Sequence, residues 1–341
     1  MAGACAVVIV FIMWHPSTFI FHVAVISMVY HGVFATKISF CSEKFEEDLR
    51  LYFEEPMDKC DNPQNESVNL VNMGLQVVRE NFIGSVNVRS INLEENNIVD
   101  ISLDAFKAVP NLSCLNIGRN RAVNIFSKFL KYFNHPSLTK LNLYQATSKN
   151  TLVDYVSQRS SISNHETAIP SKGYLPHVTH LDMSRNNLID FPNYLKPLFP
   201  RLTHLYLSDN RLYRKSYYIP ASTQVLYFER NQNTIFLSDI PINITALFIS
   251  ENSVNDYFRR FTKLNVLSFR KCKNCDYSLI SEIGDCENLV NLDISSNNIN
   301  FIPEHSFKKL KSLQRFSLDR NSLSSLSFLT HLSTLTDLSI A

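Results

Sequence analysis

Seven segments of this chain repeat one nine-position pattern: VRSINLEENNI from residue 88, LSCLNIGRN from 112, VTHLDMSRNNL from 178, LTHLYLSDNRL from 202, ITALFISENSV from 244, LVNLDISSNNI from 289 and LQRFSLDRNSL from 313. Weaker copies start at Leu138, Thr223 and Leu264, and an eleventh begins at Leu335. Each reads apolar-x-x-apolar-x-apolar-x-x-Asn. The apolar residues at positions four and six alternate with outward residues at three and five, the period-two signature of a strand with one buried face. Copies recur mostly every 20 to 26 residues. A unit that short cannot bury its own apolar face, so neighbours must stack into one continuous core, with the strands side by side in a parallel sheet. The expected fold class is therefore an α/β solenoid.

The ninth-position Asn is expected to close the turn after each strand, because its amide both donates to and accepts from backbone groups that the bend leaves unpaired. Ala146 and Cys272 occupy that position in two repeats. Cys272 is accordingly read as buried and free, which leaves Cys275 and Cys286 as a bridge across a loop; a Cys272–Cys275 bridge would overturn this. In the return segments, Ile101 with Phe106, Ile302 with Phe307, Ile219-Pro220 and Ile240-Pro241 are the recurring apolar residues.

On these motifs the chain resembles the leucine-rich repeat family from residue 88 to its end. Its mixed return segments resemble those of Toll-type receptor ectodomains and other extracellular animal proteins. The resemblance implies a curved horseshoe with the parallel sheet on the concave face and irregular or short helical segments on the convex face. It also implies an extracellular or cell-surface recognition module that binds a protein, peptide or glycan on the concave face, in receptor signalling or innate immunity. A structural adhesion or matrix protein without signalling is the alternative. Residues 36–87 resemble the cysteine-containing amino-terminal cap of such proteins, which implies a Cys41–Cys60 disulfide.

Residues 1–35 differ in kind, with apolar runs from Ala4 to Trp14 and Phe19 to Tyr30 and no Lys or Arg before Lys37. They read as an export signal, with an uncleaved anchor as the alternative. Export places the rest where cysteines pair and Asn65, Asn111 and Asn243, each in an Asn-x-Ser/Thr sequon, accept glycans. Cys114 is expected as an exposed lone thiol. A polar stretch at 148–172 reads as an inserted loop. The chain stops inside the strand of the eleventh repeat, an open apolar edge, which leads to the expectation that the protein continues beyond residue 341 and that any membrane helix lies there or at the amino terminus.

The charges nearly balance, 33 basic against 31 acidic for a net +2, so nothing in the composition calls for nucleic acid. Arg270, Lys271 and Lys273 cluster, but acidic neighbours dilute them. Only 7 glycines occur, too few for phosphate-cradling loops, and no cofactor is expected. His180, His204 and Asp182 are the one constellation on the strand face that suggests a metal or a base, with a metal-dependent enzyme as a remote third function. No nucleophile with a pocket accompanies them, and a recognition protein, not an enzyme, is the expectation.

The sharpest site expectation comes from reading columns across repeats. Position five runs Asn92, Asn116, Asn142, Asp182, Tyr206, Tyr227, Phe248, Ser268, Asp293 and Ser317, and position three of the same central region gives Val225, Ala246 and Val266. These residues are expected to form an exposed apolar patch with Tyr227 as central anchor, Tyr206 and Phe248 beside it, and Glu229 and Arg230 at the rim. Removing the Tyr227 ring should then weaken binding with little loss of folding.

Overall fold

The computed structural model describes residues 37–39, 60, 66–122, 125–147, 175–189, 198–212, 219–231, 234–255, 257–273 and 277–340. The leader at 1–35, Cys41, Asn65, Cys275 and the stretch at 148–172 lie outside these residues. The chain forms two compact units, one made of 55–233 with 239–241, the other of 234–238 and 242–341 together with 1–54.

In the first unit, seven three-residue strands lie parallel and in register: Ser67–Asn69, Ser90–Asn92, Cys114–Asn116, Lys140–Asn142, His180–Asp182, His204–Tyr206 and Val225–Tyr227. Position three always faces position three and five always faces five. The first of these strands falls inside the segment read from sequence as a cap, so the ladder begins one repeat before residue 88. In the second unit Ala246–Phe248, Val266–Ser268, Asn291–Asp293, Arg315–Ser317 and Asp337–Ser339 continue in the same manner. Lys37–Ser39 pairs in parallel with Asp337–Ser339, so the edge that the sequence leaves open at the last repeat carries a partner. No helix among the described residues is long and apolar enough to cross a membrane.

The core is the one the repeat requires. Leu112, Leu115 and Ile117, Leu202, Leu205 and Leu207, and Leu264, Leu267 and Phe269 are wholly buried at positions one, four and six. Phe106 and Phe307 close the layer from the return segments, Phe106 against Phe133 edge-on at 6.2 Å and Phe307 against Phe316 at 5.5 Å. Truncating any one of these leucines should cost about 2–5 kcal/mol.

Two ladders hold the repeats in register. Asn210 is typical: its Nδ2 donates to the Met183 and Leu207 carbonyls at 3.0 and 2.9 Å, while its Oδ1 accepts the Asn186 and Leu188 amides at 2.9 and 3.1 Å. Asn96, Asn120 and Asn297 also donate both within their own repeat and to the one before. Where Ala146 lacks the amide, Thr147 takes part instead, its backbone N–H donating to Asn186 Oδ1 at 3.1 Å. The second ladder lies at position eight, where Glu95, Arg119, Gln145, Arg185, Asp209, Arg230, Glu251, Lys271, Ser296 and Arg320 all have φ between 48° and 61°. A left-handed non-glycine residue costs roughly 1–2 kcal/mol. It turns the amide toward the next repeat, where Arg119 N–H reaches the Tyr144 carbonyl at 2.7 Å and Asp209 N–H the Glu229 carbonyl at 2.9 Å.

The cysteine pairing differs from that read off the sequence. Cys60 is bonded to Cys114, not Cys41, and Cys114 is buried rather than an exposed thiol. Cys272 is disulfide-bonded, while Cys286 is a buried free thiol rather than half of a bridge to Cys275. The reason is spatial: Cys114 stands at position three of its strand, and Ser90 Oγ, opposite it in the adjacent strand, donates to the Cys60 carbonyl, so Cys60 lies against this pair.

Candidate functional site: the strand face of residues 55–233

On the strand face, position five divides by chemistry. Where it is Asn or Asp, the side-chain oxygen accepts the N–H two residues on: Asn116 from Gly118 at 2.8 Å, Asn142 from Tyr144 at 2.8 Å and Asp182 from Ser184 at 2.7 Å. These residues therefore serve their own backbone as Asx turns. Tyr206 and Tyr227 offer no such acceptor, and the amide of Glu229 is met instead by Ser208 Oγ at 3.1 Å. The two rings stack on each other, centroids 4.7 Å apart and planes 7° from parallel.

The expected exposure of this region is corrected by the structure. Tyr206 is 8% exposed, Tyr227 4% and Val225 4%; in the other unit Ala246, Phe248 and Val266 are likewise buried, and so is Glu229. Asn116, small and polar in the same column, is also completely buried. Burial is therefore a property of the column rather than of the rings. Parallel strands place equivalent side chains about 4.8 Å apart, so each covers the flanks of the next. The alternation of a strand says which face a residue points to; it does not say that the face is open.

What remains half-exposed is position three of three consecutive repeats. Lys140, His180 and His204 stand there in register on adjacent strands, and the two imidazoles stack with centroids 4.0 Å apart and planes 11° from parallel. Each Nδ1 lies 2.9 Å from the hydroxyl of the preceding threonine, Thr179 or Thr203. Both hydroxyls already donate to the previous repeat, Thr179 to the Thr139 carbonyl and Thr203 to the Thr179 carbonyl at 3.1 Å. A hydroxyl has one proton, so each imidazole donates from Nδ1. Lone pairs of face-to-face rings point along parallel planes and do not converge, which sets His180 and His204 against a shared ion. Sequence reading passed over the hydroxyl ladder, although Ser113, Thr139, Thr179 and Thr203 at position two spell it out.

The rim is a row of charges carried on the position-eight turns. Glu95 pairs with Arg119; the Tyr144 ring lies between the Arg119 and Arg185 guanidinium groups, 5.7 and 5.4 Å from its centroid; Arg185 reaches Asp209 at 3.3 Å; and Arg230 binds both oxygens of Asp209, at 2.6 and 2.9 Å. The Arg230 hydrogen bonds hold the Asp209 carboxyl below the usual carboxylate range, against the opposing effect of burial, and Arg185 adds to the lowering. Arg230 is half-exposed and paired with Asp209. In the other unit Arg270 lies 3.8 Å from Asp293 and Lys271 3.2 Å from Glu251, so two of the three clustered cations there are paired.

This arrangement of stacked parallel strands closed by an asparagine ladder defines a leucine-rich repeat solenoid. Residues 287–341 match the family model described as Leucine rich repeat. The chain is similar to human lumican, 23% identical over an alignment of 248 residues that covers 68% of this chain and 66% of lumican. Among solved structures it is similar to TLR13 in the TLR13–ssRNA13 complex, with 22% identity and a TM-score of 0.59 over 78% of this chain and 38% of that one. It is also similar to the internalin InlF of Listeria monocytogenes, with 17% identity and a TM-score of 0.53 over 88% of this chain and 90% of that one. The chain thus spans just under two thirds of lumican and well under half of the TLR13 chain.

Proposed function

We propose that this chain is an extracellular recognition module whose strand face, centred on His180 and His204 beside the Tyr206–Tyr227 stack, binds a protein, peptide or glycan. One observation carries the reading. At Tyr206 and Tyr227, aromatic rings stand where neighbouring repeats use Asn or Asp to satisfy their own backbone, so these two repeats give up an Asx turn for a rigid aromatic floor. Beside these rings on the same face the half-exposed imidazoles and Lys140 offer polar contacts, and Arg230, Asp209 and Arg185 carry the neighbouring charges. Rigid aromatics with adaptable polar groups are the composition of interface centres. Val225 and Glu229, and in the other unit Ala246, Phe248 and Val266, are buried and are not part of the proposed contact surface.

Binding of single-stranded RNA belongs to the TLR13 complex. Here the near-neutral charge and the pairing of Arg270 and Lys271 favour a non-nucleic-acid ligand. Export through residues 1–35 and glycans at Asn111 and Asn243 are part of the same proposal; both asparagines are exposed, one donating to the Val86 carbonyl and the other accepting from Lys263. The test is a screen of the secreted chain against arrays of extracellular proteins and glycans. A ligand of the strand face should lose about tenfold or more in affinity on His180→Ala with His204→Ala, and none on Asn300→Ala in a return segment. A ligand indifferent to the histidine pair would place recognition elsewhere.

A further inference from the structure

Two return segments in the second unit bring together side chains that the repeat pattern does not explain. Glu304 and His305 follow the strand Asn291–Asp293, and His331 ends the short 3-10 helix Ser327–His331 of the next repeat. His305 Nδ1 and His331 Nε2 are 3.0 Å apart, and with a carboxylate oxygen of Glu304 the three ligand atoms all lie within 4.8 Å of one another. We propose that Glu304, His305 and His331 form a binding site for a zinc ion, with the fourth coordination position open.

Three features support the assignment. First, the ring planes are tilted by 48° rather than stacked, and His305 Nδ1 and His331 Nε2 face each other at hydrogen-bond distance, a contact that an ion taking both nitrogens would replace. Zinc–nitrogen bonds of about 2.05 Å at a tetrahedral angle need the two nitrogens roughly 3.3 Å apart, a few tenths of an ångström from where they stand. Second, the segments beneath are fixed. Phe307 and Phe328 are wholly buried and meet edge-on at 5.7 Å, each also packed on Phe316, so the residues carrying both imidazoles are anchored to one aromatic cluster. A Cβ at Gly284 would collide with the Ser306 carbonyl, which shows how closely the preceding repeat presses on the segment holding His305.

Third, the donor set selects the ion. The two histidines line a surface cavity of about 650 Å³ with Glu287, Lys308, Lys309 and Lys311. Calcium and magnesium require mostly oxygen ligands, and the triad supplies one carboxylate against two imidazole nitrogens, a donor set that suits zinc. Lys309 is held by Asp285 at 2.7 Å, which offsets one of the cations at the mouth. Three protein ligands with one position free is the arrangement of zinc sites that exchange a fourth ligand.

The experiment is calorimetric titration of the untagged chain with zinc chloride, with thermal unfolding followed in parallel. The expected result is saturation at one ion per chain, a rise in Tm with zinc, and at least a tenfold loss of affinity in His305→Ala and in His331→Ala. Their exposed or half-exposed positions leave the metal-free melting temperature of both variants near that of the wild type. His180→Ala with His204→Ala should bind zinc as the wild type does. No heat of binding, binding that survives the His305→Ala, His331→Ala double variant, or binding that disappears with His180 and His204 would each overturn the assignment.

Discussion

Tyr206 and Tyr227 stack in register on adjacent strands with centroids 4.7 Å apart, and both rings are almost completely buried. Removing either ring therefore acts on the fold as well as on any ligand. Tyr227→Ala should cost about 3–5 kcal/mol by analogy with other buried aromatics. A double-mutant cycle with Tyr206→Ala should leave a coupling of about 0.5–1.5 kcal/mol for the stack itself. Urea unfolding measures both, and a Tyr227→Ala variant as stable as the wild type would show that the ring stands free.

The asparagine ladder makes a sharper demand. Asn210→Ala removes two donors and one doubly used acceptor from fully buried backbone. Two buried amides, those of Asn186 and Leu188, lose their acceptor, whereas the Met183 and Leu207 carbonyls each keep a second donor in Asn186 and Asn231; at about 1–3 kcal/mol for each orphan that water does not reach, the loss should be about 2 kcal/mol or more. A chemical-denaturation difference below about 1 kcal/mol would mean that water or a shift of the turn replaces the amide.

What the sequence made legible was whatever repeats. Leu205, Leu207 and Phe106 could be placed in the core, and the Asn210 amide given its role, because each recurs at a fixed position and has only one physical use there. The left-handed turn at position eight recurs as faithfully but leaves no residue signature, since its occupants range from Glu95 to Arg320. The face of the sheet was misjudged for a different reason. Alternation fixes the direction of Tyr227, whereas its exposure depends on the neighbours that flank it across strands. Partners chosen across space were the least legible: Cys60 with Cys114, 54 residues apart, and His305 with His331, which meet only because successive return segments stack.

Cysteine chemistry can be checked directly. Non-reducing peptide mapping should join the peptides of Cys60 and Cys114, and Cys60→Ser with Cys114→Ser should destabilise by about 2–4 kcal/mol. Burial, aided by Asp285 and Glu282, pushes the Cys286 thiol up to about 12. It should therefore resist alkylation at pH 8 in the native protein and react once denaturant is added. Rapid native labelling of Cys286 would contradict its buried, free assignment.

Asp209 gives the acid limb of stability a specific contributor. Its folded-state pKa lies below the unfolded one, chiefly through the Arg230 hydrogen bonds, so its stabilising contribution is complete above the unfolded carboxylate value of about 4 and is lost as pH falls through the folded value. Asp209→Asn suits the left-handed backbone there, with φ of 59°, but cannot titrate. The variant should be less stable than the wild type at pH 7, and the gap should close as the pH is lowered from 5 toward 2. Parallel Tm profiles across that range would assign the loss to other carboxylates.

Thr223 breaks the apolar rule at position one, where ten other repeats place Val, Leu or Ile. It is completely buried, and its Oγ1 has no hydrogen-bond partner. A buried hydroxyl left without a partner costs about 1–3 kcal/mol relative to a satisfied one, and valine has nearly the same shape. The backbone is not at issue, because the Thr223 N–H bond to the Pro220 carbonyl at 3.0 Å is independent of the side chain. Thr223→Val should therefore raise stability by about 1 kcal/mol, read as a higher urea midpoint at unchanged slope. Thr223→Ala should lower it instead, since it removes the buried methyl group together with the hydroxyl and leaves a void. A Thr223→Val variant less stable than the wild type would mean that the hydroxyl is satisfied by water, and that position one tolerates a polar atom because solvent reaches it.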